Sequence, residues 1–448
     1  MNKHDKENTI PQRARRYAHV GGAVAKAGAQ FVGSRVASGG KKNPGAEAAI
    51  LRTALGGLKG PLMKIAQLIA TIPDFLPPDY AAELATLQSQ APPMGWPFVR
   101  RRMNSELGPD WQSKFKSFEP TAACAASLGQ VHRAVAHDET PLACKLQYPD
   151  MQATVEADLQ QLKLIFSLFE KFTPSVSTRD AYEEVALRLR EELDYAREAK
   201  SMALYKEMLA QVEGAHVPTP FPILCTDRLL TMSWLDGVKI GETITSKTQD
   251  ERNALAITMF RLWYVPFYHY GIIHGDPHLG NYTFREDGGI NLLDFGCIRI
   301  FRPDLVQGVI TLFAALRDND EAMAAEAYRL WGFTSLTKEL LETLNIWARF
   351  IYAPILSDSA RPLQETNSTQ QGRQIAAAMY QKIQTMQGIA IPPEFVLMDR
   401  ASIGLGSVFL RLGAEVNWRR LFEEMTEGFD VNVLATRQSV LLKKYGLT

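Results

Sequence analysis

The chain has 448 residues, of which 46% are hydrophobic and 22% are charged. This composition is typical of a globular protein with one large domain or two to three smaller ones. Its 49 Lys and Arg residues balance 49 Asp and Glu residues, so no overall field favours nucleic acid as a partner.

The N-terminal 45 residues are rich in Ala, Gly and Val over 18–40, with Lys26 and Arg35 among them. They predict a flexible or helical lead-in, and the alternative is a weakly amphipathic helix that touches a membrane surface. The polar start is not a secretory signal, and no apolar run reaches the roughly 18 residues of a membrane span. Four cysteines without zinc spacing indicate free thiols. We therefore expect a cytoplasmic protein, with peripheral contact at the inner face of a membrane as the alternative.

From Ala46 to Thr71, leucines and isoleucines recur at near-helical spacing. Glycines and Pro61 break this stretch into two predicted helices. The second carries Lys64 and Gln67 on one face, and this spacing by itself favours a solvated pair. Further helices are predicted at Tyr80–Gln90 and Trp96–Leu107.

Residues 115–148 are predicted to form three strands, at Phe115–Glu119, Val131–Val135 and Leu142–Leu146. A stretch of small residues between the first two predicts a loop whose backbone N–H groups approach phosphates. The candidate nucleotide-binding residues of this loop are Ala125, Ala126, Ser127, Gly129 and Gln130.

Lys145 lies in the third predicted strand, where a Lys can pair with nucleotide phosphates and with a helix Glu. Residues 150–210 are predicted to be helical. They carry an acidic run in which Glu191, Asp194 and Glu198 share a face. Such a run is usually solvated. The candidate partners for a Lys or a metal are Glu191, Glu192, Asp194 and Glu198.

Residues 229–237 predict a strand that ends in a turn, followed by a helix over 251–270. This strand fits the segment that links two lobes, where an adenine hydrogen-bonds to backbone groups. Met232 and Trp234 are the candidate residues of this segment.

The most informative stretch is His274-Gly275-Asp276-Pro277-His278-Leu279-Gly280-Asn281, followed by Asp294-Phe295-Gly296. Tyr282–Phe284 and Ile290–Leu293 flank an Asp-Gly turn and predict a hairpin between the two motifs. Phosphoryl transfer needs one carboxylate to orient the acceptor, here Asp276. It also needs an Asn and a second carboxylate to hold magnesium, here Asn281 and Asp294.

These residues resemble the UbiB/ABC1/ADCK (COQ8-like) family of atypical kinases over roughly residues 20–330. The family's Lys-x-Gly-Gln motif is matched by Lys64-Ile65-Ala66-Gln67, its Ala-rich loop by Cys124-Ala125-Ala126-Ser127, and its Glu-x-Asp motif by Glu192-Leu193-Asp194. The chain departs from the family at Ala66 and Cys124, which replace a Gly and an Ala. It departs also at Ser233, where many members carry an acid, and in lacking a hydrophobic C-terminal anchor.

The resemblance implies an α+β, bilobal protein-kinase-like fold with a small N-lobe sheet, family-specific N-terminal helices and a large, mostly helical C-lobe. After Asp294-Phe295-Gly296 the chain is predicted to be helical, with a polar break near Ser357–Gln371. The expected limits are 1–45 for the N-terminal segment, 46–112 for the helical extension, 113–236 for the N-lobe with a helical insert, and 237–448 for the C-lobe.

The resemblance also implies roles for individual residues. Glu198 is expected to pair with Lys145, Asp276 to be the catalytic-loop Asp, and Asn281 with Asp294 to bind magnesium. Lys64 and Gln67 are expected to lie over the active site, near Glu192 and Asp194, and to block a protein substrate. The implied activity is an ATPase-like reaction with ATP and Mg²⁺. It would support the biosynthesis of ubiquinone or a related isoprenoid lipid, with such lipids or quinone-biosynthesis proteins as partners.

Two other functions remain open. An aminoglycoside-kinase-like phosphotransferase shares the His-Gly-Asp-x-His-x-Gly-Asn motif, but has no use for Lys64 and Gln67. A nucleotide-dependent, non-catalytic scaffold is the third hypothesis, and the retained Lys145 and Asp276 argue against it.

Overall fold

The computed structural model describes residues 94–126, 128–172, 179–244, 247–276, 279–363, 368–386, 392, 395, 406 and 408–447. Lys64 and Gln67 lie outside these ranges, as does Ser127 of the small-residue stretch. Within the described ranges, no helix is both long enough and apolar enough to cross a membrane.

Strands are concentrated between residues 117 and 300, and helices follow. The main helices are α1 Trp96–Leu107, α2 Met151–Phe172, α3 Arg179–Leu193, α4 Tyr195–Met208, α5 Ile240–Thr243, α6 Gln249–Tyr270, α7 Pro303–Asp318, α8 Glu321–Leu330, α9 Lys338–Leu356, α10 Ser368–Thr385, α11 Trp418–Thr426 and α12 Val431–Tyr445. The strands are β1 Ser117–Ala126, β2 Gly129–Val135, β3 Pro141–Gln147, β4 Ala215–His216, β5 Leu229–Ser233, β6 Ile272–His274, β7 Tyr282–Phe284, β8 Ile290–Leu292, β9 Ile298–Ile300, β10 Arg361–Pro362 and β11 Glu415–Val416.

This content confirms the predicted α+β class, with a small sheet early in the chain and a mostly helical remainder. The chain divides into two compact units. The first unit contains Met1–Trp111, Glu119–His132 and Lys145–Leu193, and the second contains Gln112–Phe118, Arg133–Cys144 and Asp194–Thr448. The four domain limits predicted from the sequence stay predictions.

In the first unit, α2 and α3 pack together through fully buried aliphatic side chains such as Val155 and Leu189. Across their outer surface, Arg190 holds Glu156 with two hydrogen bonds of 2.7 and 2.9 Å. The apolar contact supplies most of the stabilisation, because an exposed ion pair contributes little.

The early sheet has the strand order β1-β2-β3-β5, and one prediction about it is wrong. The small residues expected to form a loop are mostly strand, since β1 continues to Ala126 and β2 begins at Gly129. Ala and Cys have only a modest strand propensity. Pairing with the neighbouring strand outweighs that propensity here.

The acidic run is also corrected. Asp194 ends α3 and begins α4, so Glu191, Asp194 and Glu198 do not share the face of one continuous helix. The Asp194 side chain accepts a hydrogen bond from the Arg197 N–H at 2.8 Å. Asp is a preferred N-cap because its short carboxylate reaches the unpaired N–H groups of the first turn.

The helix α6 leads into the motif that begins at His274 and is defined at both ends. Thr248 and Glu251 form a reciprocal capping box at its start. At its end, Gly271 adopts a φ of 65°, a left-handed conformation that suits glycine. The chain then enters β6 directly, which fixes where His274 lies.

Two short strand pairs frame the motif region. The strands β6 and β9 are antiparallel, with His274 opposite Ile298. The strands β7 and β8 form the predicted hairpin, with Tyr282 opposite Leu292, and this confirms the strand-turn-strand prediction. The parallel pairing of β4 with β8 and the β6–β9 pairing were not predicted.

The rest of the second unit is helical. Aromatic side chains from several helices form its core, and Phe422 of α11 contacts both Tyr268 of α6 and Phe313 of α7. The predicted polar break after α9 contains β10, which pairs with β11. The C-terminal helix α12 packs against α4, α6 and α7.

Candidate active site

His274 connects the two motifs of the site. It is fully buried, its Nδ1 accepts from the Asp276 N–H at 3.2 Å, and its Nε2 lies 2.6 Å from the Asp294 carbonyl oxygen. Because an N–H can only donate and a carbonyl can only accept, the ring is neutral with its proton on Nε2. The sequence did not assign this role to His274, although the His-x-Asp spacing signals it.

Asp276 and Asn281 are in direct contact. The Asn281 amide nitrogen donates to Asp276 Oδ2 at 3.0 Å and to the Asp276 carbonyl oxygen at 3.1 Å. Asn281 therefore fixes the carboxylate of the predicted catalytic Asp. The amide nitrogen is used by Asp276, which leaves the amide oxygen, Oδ1, at the other end of the group. Mg²⁺ accepts an oxygen of this kind as a ligand.

The hairpin places Asn281 and Asp294 at its open end. The Leu293 N–H donates to the Asn281 carbonyl oxygen at 2.9 Å, just before Asp294. Asp294 Oδ1 accepts from the Gly296 N–H at 3.0 Å, which orders the turn after the strand. The hairpin thus brings together the three residues predicted from the motifs, Asp276, Asn281 and Asp294.

The approach of the two motifs requires glycine at position 275. Its N–H donates to the Cys297 carbonyl oxygen at 2.7 Å. A Cβ at this position would lie 2.6 Å from Cys297 Sγ. Any larger residue would separate the segment with Asp276 from the segment with Asp294.

The chemistry of this cluster fits a magnesium ion shared with phosphates. The cluster offers an amide oxygen and carboxylate oxygens, which are hard ligands. No group of three or more His, Cys, Asp or Glu that could hold a metal occurs within the described ranges. Mg²⁺ on a nucleotide needs only one or two protein carboxylates, because water and phosphate complete its shell.

Three aromatic rings pack around the imidazole of His274. The rings of Tyr205, Trp263 and Phe295 lie 6.1, 5.6 and 6.2 Å from the imidazole, centroid to centroid. Among the residues that the structure describes, the Tyr205 hydroxyl has no hydrogen-bond partner. Burial, and next the nearby Cys297 thiol, raise the pKa of Tyr205 well above its usual value, so the phenol stays neutral.

The strand β5 and the segment after it carry the predicted Met232 and Trp234. Met232 is buried, and the Trp234 N–H donates to the Pro141 carbonyl oxygen at 2.8 Å. The Trp234 ring has the Arg133 guanidinium 4.0 Å from its centre and donates to Asp236 Oδ1 at 2.8 Å. A nucleotide contact by Trp234 would therefore use its carbonyl oxygen or the free face of its ring.

A buried asparagine fastens this segment to the hairpin. Asn291 Nδ2 donates to the Asp236 carbonyl oxygen and to Thr283 Oγ1, both at 2.9 Å. Asn291 was not among the residues predicted from the sequence. An Asn inside the apolar run Ile290–Leu293 is the signal that would have found it, since a buried amide needs partners.

In the first unit, Gln130 is fully buried and committed to neighbouring groups. Its Oε1 accepts from the Met94 N–H at 2.7 Å, and its nitrogen donates to the Met94 carbonyl oxygen and to His132 Nε2 at 3.1 and 2.9 Å. A phosphate contact at this position would use the backbone. Gly129 is buried beside it, whereas Ala125 is exposed on β1.

Lys145 is half-buried on β3, next to Cys144, whose pKa burial raises to about 12. Glu198, in the first turn of α4, is only 1% exposed. Lys145 and Glu192 belong to the first unit, whereas Glu198 and the exposed Asp194 belong to the second. The predicted pairing of Lys145 with Glu198 therefore stays a prediction, as do the roles of Lys64, Gln67 and Ser127 outside the described ranges.

The chain is similar to several known proteins. A family model, the ABC1 atypical kinase-like domain, matches residues 86–328, which is more than half of the chain. Protein ACTIVITY OF BC1 COMPLEX KINASE 7, chloroplastic, from Arabidopsis thaliana is 31% identical over 60% of this chain and 39% of its own length. Atypical kinase COQ8, mitochondrial, from Saccharomyces cerevisiae is 25% identical over 82% of this chain and 74% of its own length.

The chain spans about two fifths of the length of the chloroplast relatives it matches. A solved structure, described as the complex of Rv3197 with erythromycin from Mycobacterium tuberculosis, has a TM-score of 0.60 and 24% identity. The match covers 85% of this chain and 96% of that one. This similarity supports the kinase-like fold.

Proposed function

The chain belongs to the ABC1 atypical kinase-like family, and we propose that it binds Mg²⁺-ATP and hydrolyses ATP. The observation that carries the proposal is the contact of the Asn281 amide with the Asp276 carboxylate, 3.0 Å away. Asp294 lies two residues after the end of β8, the second strand of the hairpin. An oriented carboxylate beside two oxygen ligands is the arrangement that phosphoryl transfer requires.

Asp276 would act on the attacking oxygen. Its carboxylate orients a water molecule toward the γ-phosphorus and accepts the proton that the water loses. The bond between the γ-phosphorus and the bridging oxygen breaks, and ADP leaves with that oxygen. Asn281 prevents the Asp276 side chain from rotating away, so the carboxylate is already placed when substrate arrives.

Asn281 Oδ1 and the Asp294 carboxylate would hold the ion. When bound, Mg²⁺ neutralises the charge of the β- and γ-phosphates. His274 would keep the ligand Asp294 in register with Asp276, because its ring joins the Asp276 N–H to the Asp294 carbonyl group.

Residues between 125 and 234 would supply the remaining nucleotide contacts. We propose that Lys145 pairs with the α- and β-phosphates and with Glu198. Glu192 and Asp194 assist with the phosphates and their metal. The small-residue stretch at 125–130 would cover the phosphates through backbone N–H groups, while Met232 and Trp234 would border the adenine.

We further propose that the activity supports the biosynthesis of ubiquinone or a related isoprenoid lipid, at the surface of a membrane. The support is the family resemblance and the relatives named COQ8. Lys64 and Gln67 would cap the cleft, leaving room for a nucleotide and little for a polypeptide acceptor.

Phosphate release from radiolabelled ATP tests the reaction. The wild type is expected to release phosphate with Mg²⁺ and to leave several unrelated proteins unlabelled. Asp276→Asn is expected to lose the activity, whereas Asp287→Asn, in the far turn of the same hairpin, is expected to keep it. Labelling of the proteins, unaffected by Lys64→Ala, would overturn the ATPase reading. Transfer only to a small hydroxylated compound would favour a small-molecule phosphotransferase.

Quinone and lipid profiling of a deletion strain tests the cellular role. Complementation by the wild-type gene is expected to restore the isoprenoid-quinone profile, and complementation by Asp276→Asn is not. A deletion strain whose quinones match those of the parent strain would refute the biosynthetic role and leave the ATPase proposal standing.

A further inference from the structure

The C-terminal helix α12 contacts the base of the catalytic strands through a buried glutamine. Gln438 is 9% exposed, and its Nε2 lies 2.9 Å from both the Tyr270 and Phe301 carbonyl oxygens and 3.3 Å from that of Gly271. The two N–H groups of the amide are thus shared among three acceptors. Tyr270 and Gly271 end α6, where helix carbonyls lack partners within the helix.

This contact lies at the first rung of the β6–β9 ladder. The Phe301 N–H donates to the Gly271 carbonyl oxygen at 2.7 Å, one residue beyond the pairing of Ile272 with Ile300. A Cβ on residue 271 would lie 2.4 Å from Gln438 Nε2. The glycine therefore permits the amide to approach, in addition to its left-handed φ.

The same ladder carries the site at its other end. His274 is the last residue of β6 and bonds to the Asp276 N–H and the Asp294 carbonyl group. Only Ile272 and Ile273 separate Gly271, in the rung beside Gln438, from this histidine. We expect a displacement of the base of this short strand to reach Asp276, because the pairing with β9 and the His274 hydrogen bond connect the two.

The far end of α12 has a second anchor, on α4. Glu207, near the end of α4, accepts from Lys444 Nζ at 2.6 Å and from the Tyr445 hydroxyl. The first turn of α4 carries the buried Glu198. One helix therefore touches both the element with Glu198 and the strands that lead to Asp276.

We propose that α12 is a strut of the active site and that Gln438 is a positioning residue for Asp276. Lys444 and Tyr445 hold α4, and thus Glu198, at the same time. The inference rests on the proposed function for the roles of Asp276 and Glu198. It assigns a catalytic consequence to a helix that lies outside the matched family domain.

The test compares Gln438→Met, which keeps the shape and loses the donors, with Tyr352→Phe. Tyr352 also donates from a buried side chain to a carbonyl, that of Val309 at 3.1 Å, away from the catalytic strands. Well below the melting temperatures, Gln438→Met is expected to lower kcat by about tenfold or more, since small displacements at a reacting group are costly. The KM for ATP is expected to stay within about threefold, because the phosphate ligands remain. Tyr352→Phe is expected to keep both.

Hydrogen exchange gives a readout that does not depend on turnover. Gln438→Met is expected to speed amide exchange in 272–274 and 298–301, and Tyr352→Phe is not. If the wild type hydrolyses no ATP, the proposed function fails, while faster exchange still supports the strut. If Gln438→Met leaves amide exchange in these strands unchanged, the strut proposal is overturned. It is also overturned if exchange becomes faster while kcat stays at the wild-type value.

A charge exchange keeps the inference testable if Gln438→Met does not fold. Lys444→Glu is expected to lower kcat by repelling Glu207 and shifting α4. The double variant Lys444→Glu, Glu207→Lys is expected to recover at least half of the lost activity. Wild-type kcat in Lys444→Glu would contradict the second anchor.

Discussion

Both ring nitrogens of His274 are committed to main-chain groups, one from each catalytic motif. We predict that His274→Leu lowers the free energy of unfolding by about 2–4 kcal/mol. The change removes the His274 hydrogen bonds of a part-buried N–H and a part-buried carbonyl group, each at a cost of about 1–3 kcal/mol. Urea unfolding followed by circular dichroism measures the effect.

Tyr205→Phe is the matched control for His274→Leu. It keeps the ring that packs against the same imidazole and removes its hydroxyl, which has no hydrogen-bond partner in the described part of the chain. Its effect is expected to stay within about 0.5 kcal/mol. Equal losses in the two variants would contradict the assignment of the loss to the two hydrogen bonds of His274.

We predict that the stability of the first unit depends on pH through His132. Burial lowers its pKa below the ordinary 6.5, while the Glu119 carbonyl group and carboxylate oppose the shift. As the pH falls through 6.5, the unfolded chain takes up the proton first, so stability present above this pH is lost below it. Between pH 7 and 5, His132→Gln is expected to lose less stability than the wild type. Parallel losses in the two proteins would contradict this role.

At the scale of elements, the break at Asp194 has a measurable consequence. We predict that Asp194→Ala lowers the free energy of unfolding by about 1 kcal/mol, because the N-cap bond to the Arg197 N–H is lost. Asp194→Asn keeps an acceptor and is expected to stay within about 0.5 kcal/mol of the wild type. Equal stability of all three proteins would mean that the cap contributes nothing.

Local patterns were enough to predict several elements. The helix Trp96–Leu107 has the predicted limits, and the hairpin around the Asp-Gly turn is present. Both depend on residues close together in sequence. The break at Asp194 was missed because helix periodicity continues across it, although an Asp followed by Glu198 four residues later also fits a helix start.

Local sequence patterns could not predict the pairings between residues that are far apart in the chain. The parallel contact of β4 with β8 joins residues 215–216 to 290–291, and three carbonyl groups far from Gln438 in sequence meet its amide. Strands of two or three residues carry almost no periodicity of their own. Their partners are selected by tertiary packing, which a single sequence does not display.

At the scale of the molecule, the motif cluster was predictable because phosphoryl transfer dictates its residue types in a fixed order. Asp276, Asn281 and Asp294 all belong to the second unit, and the hairpin brings them together. Lys145 and Glu198 belong to different units, so their ion pair remains a prediction. The local motifs thus predict the part of the site that lies within the second unit.

The measurement that tests the central claim most directly is thermal unfolding with Mg²⁺-nucleotide. A ligand that binds only the folded state raises its stability by about 2.7 kcal/mol at 100 times its Kd. The wild-type melting temperature is expected to rise with Mg²⁺-ADP concentration, and much less with EDTA present. Asp294→Asn is expected to lose most of this shift, and Asp287→Asn, at the far turn of the hairpin, to retain it. A wild-type melting temperature that ignores Mg²⁺-ADP over a wide concentration range would contradict the account.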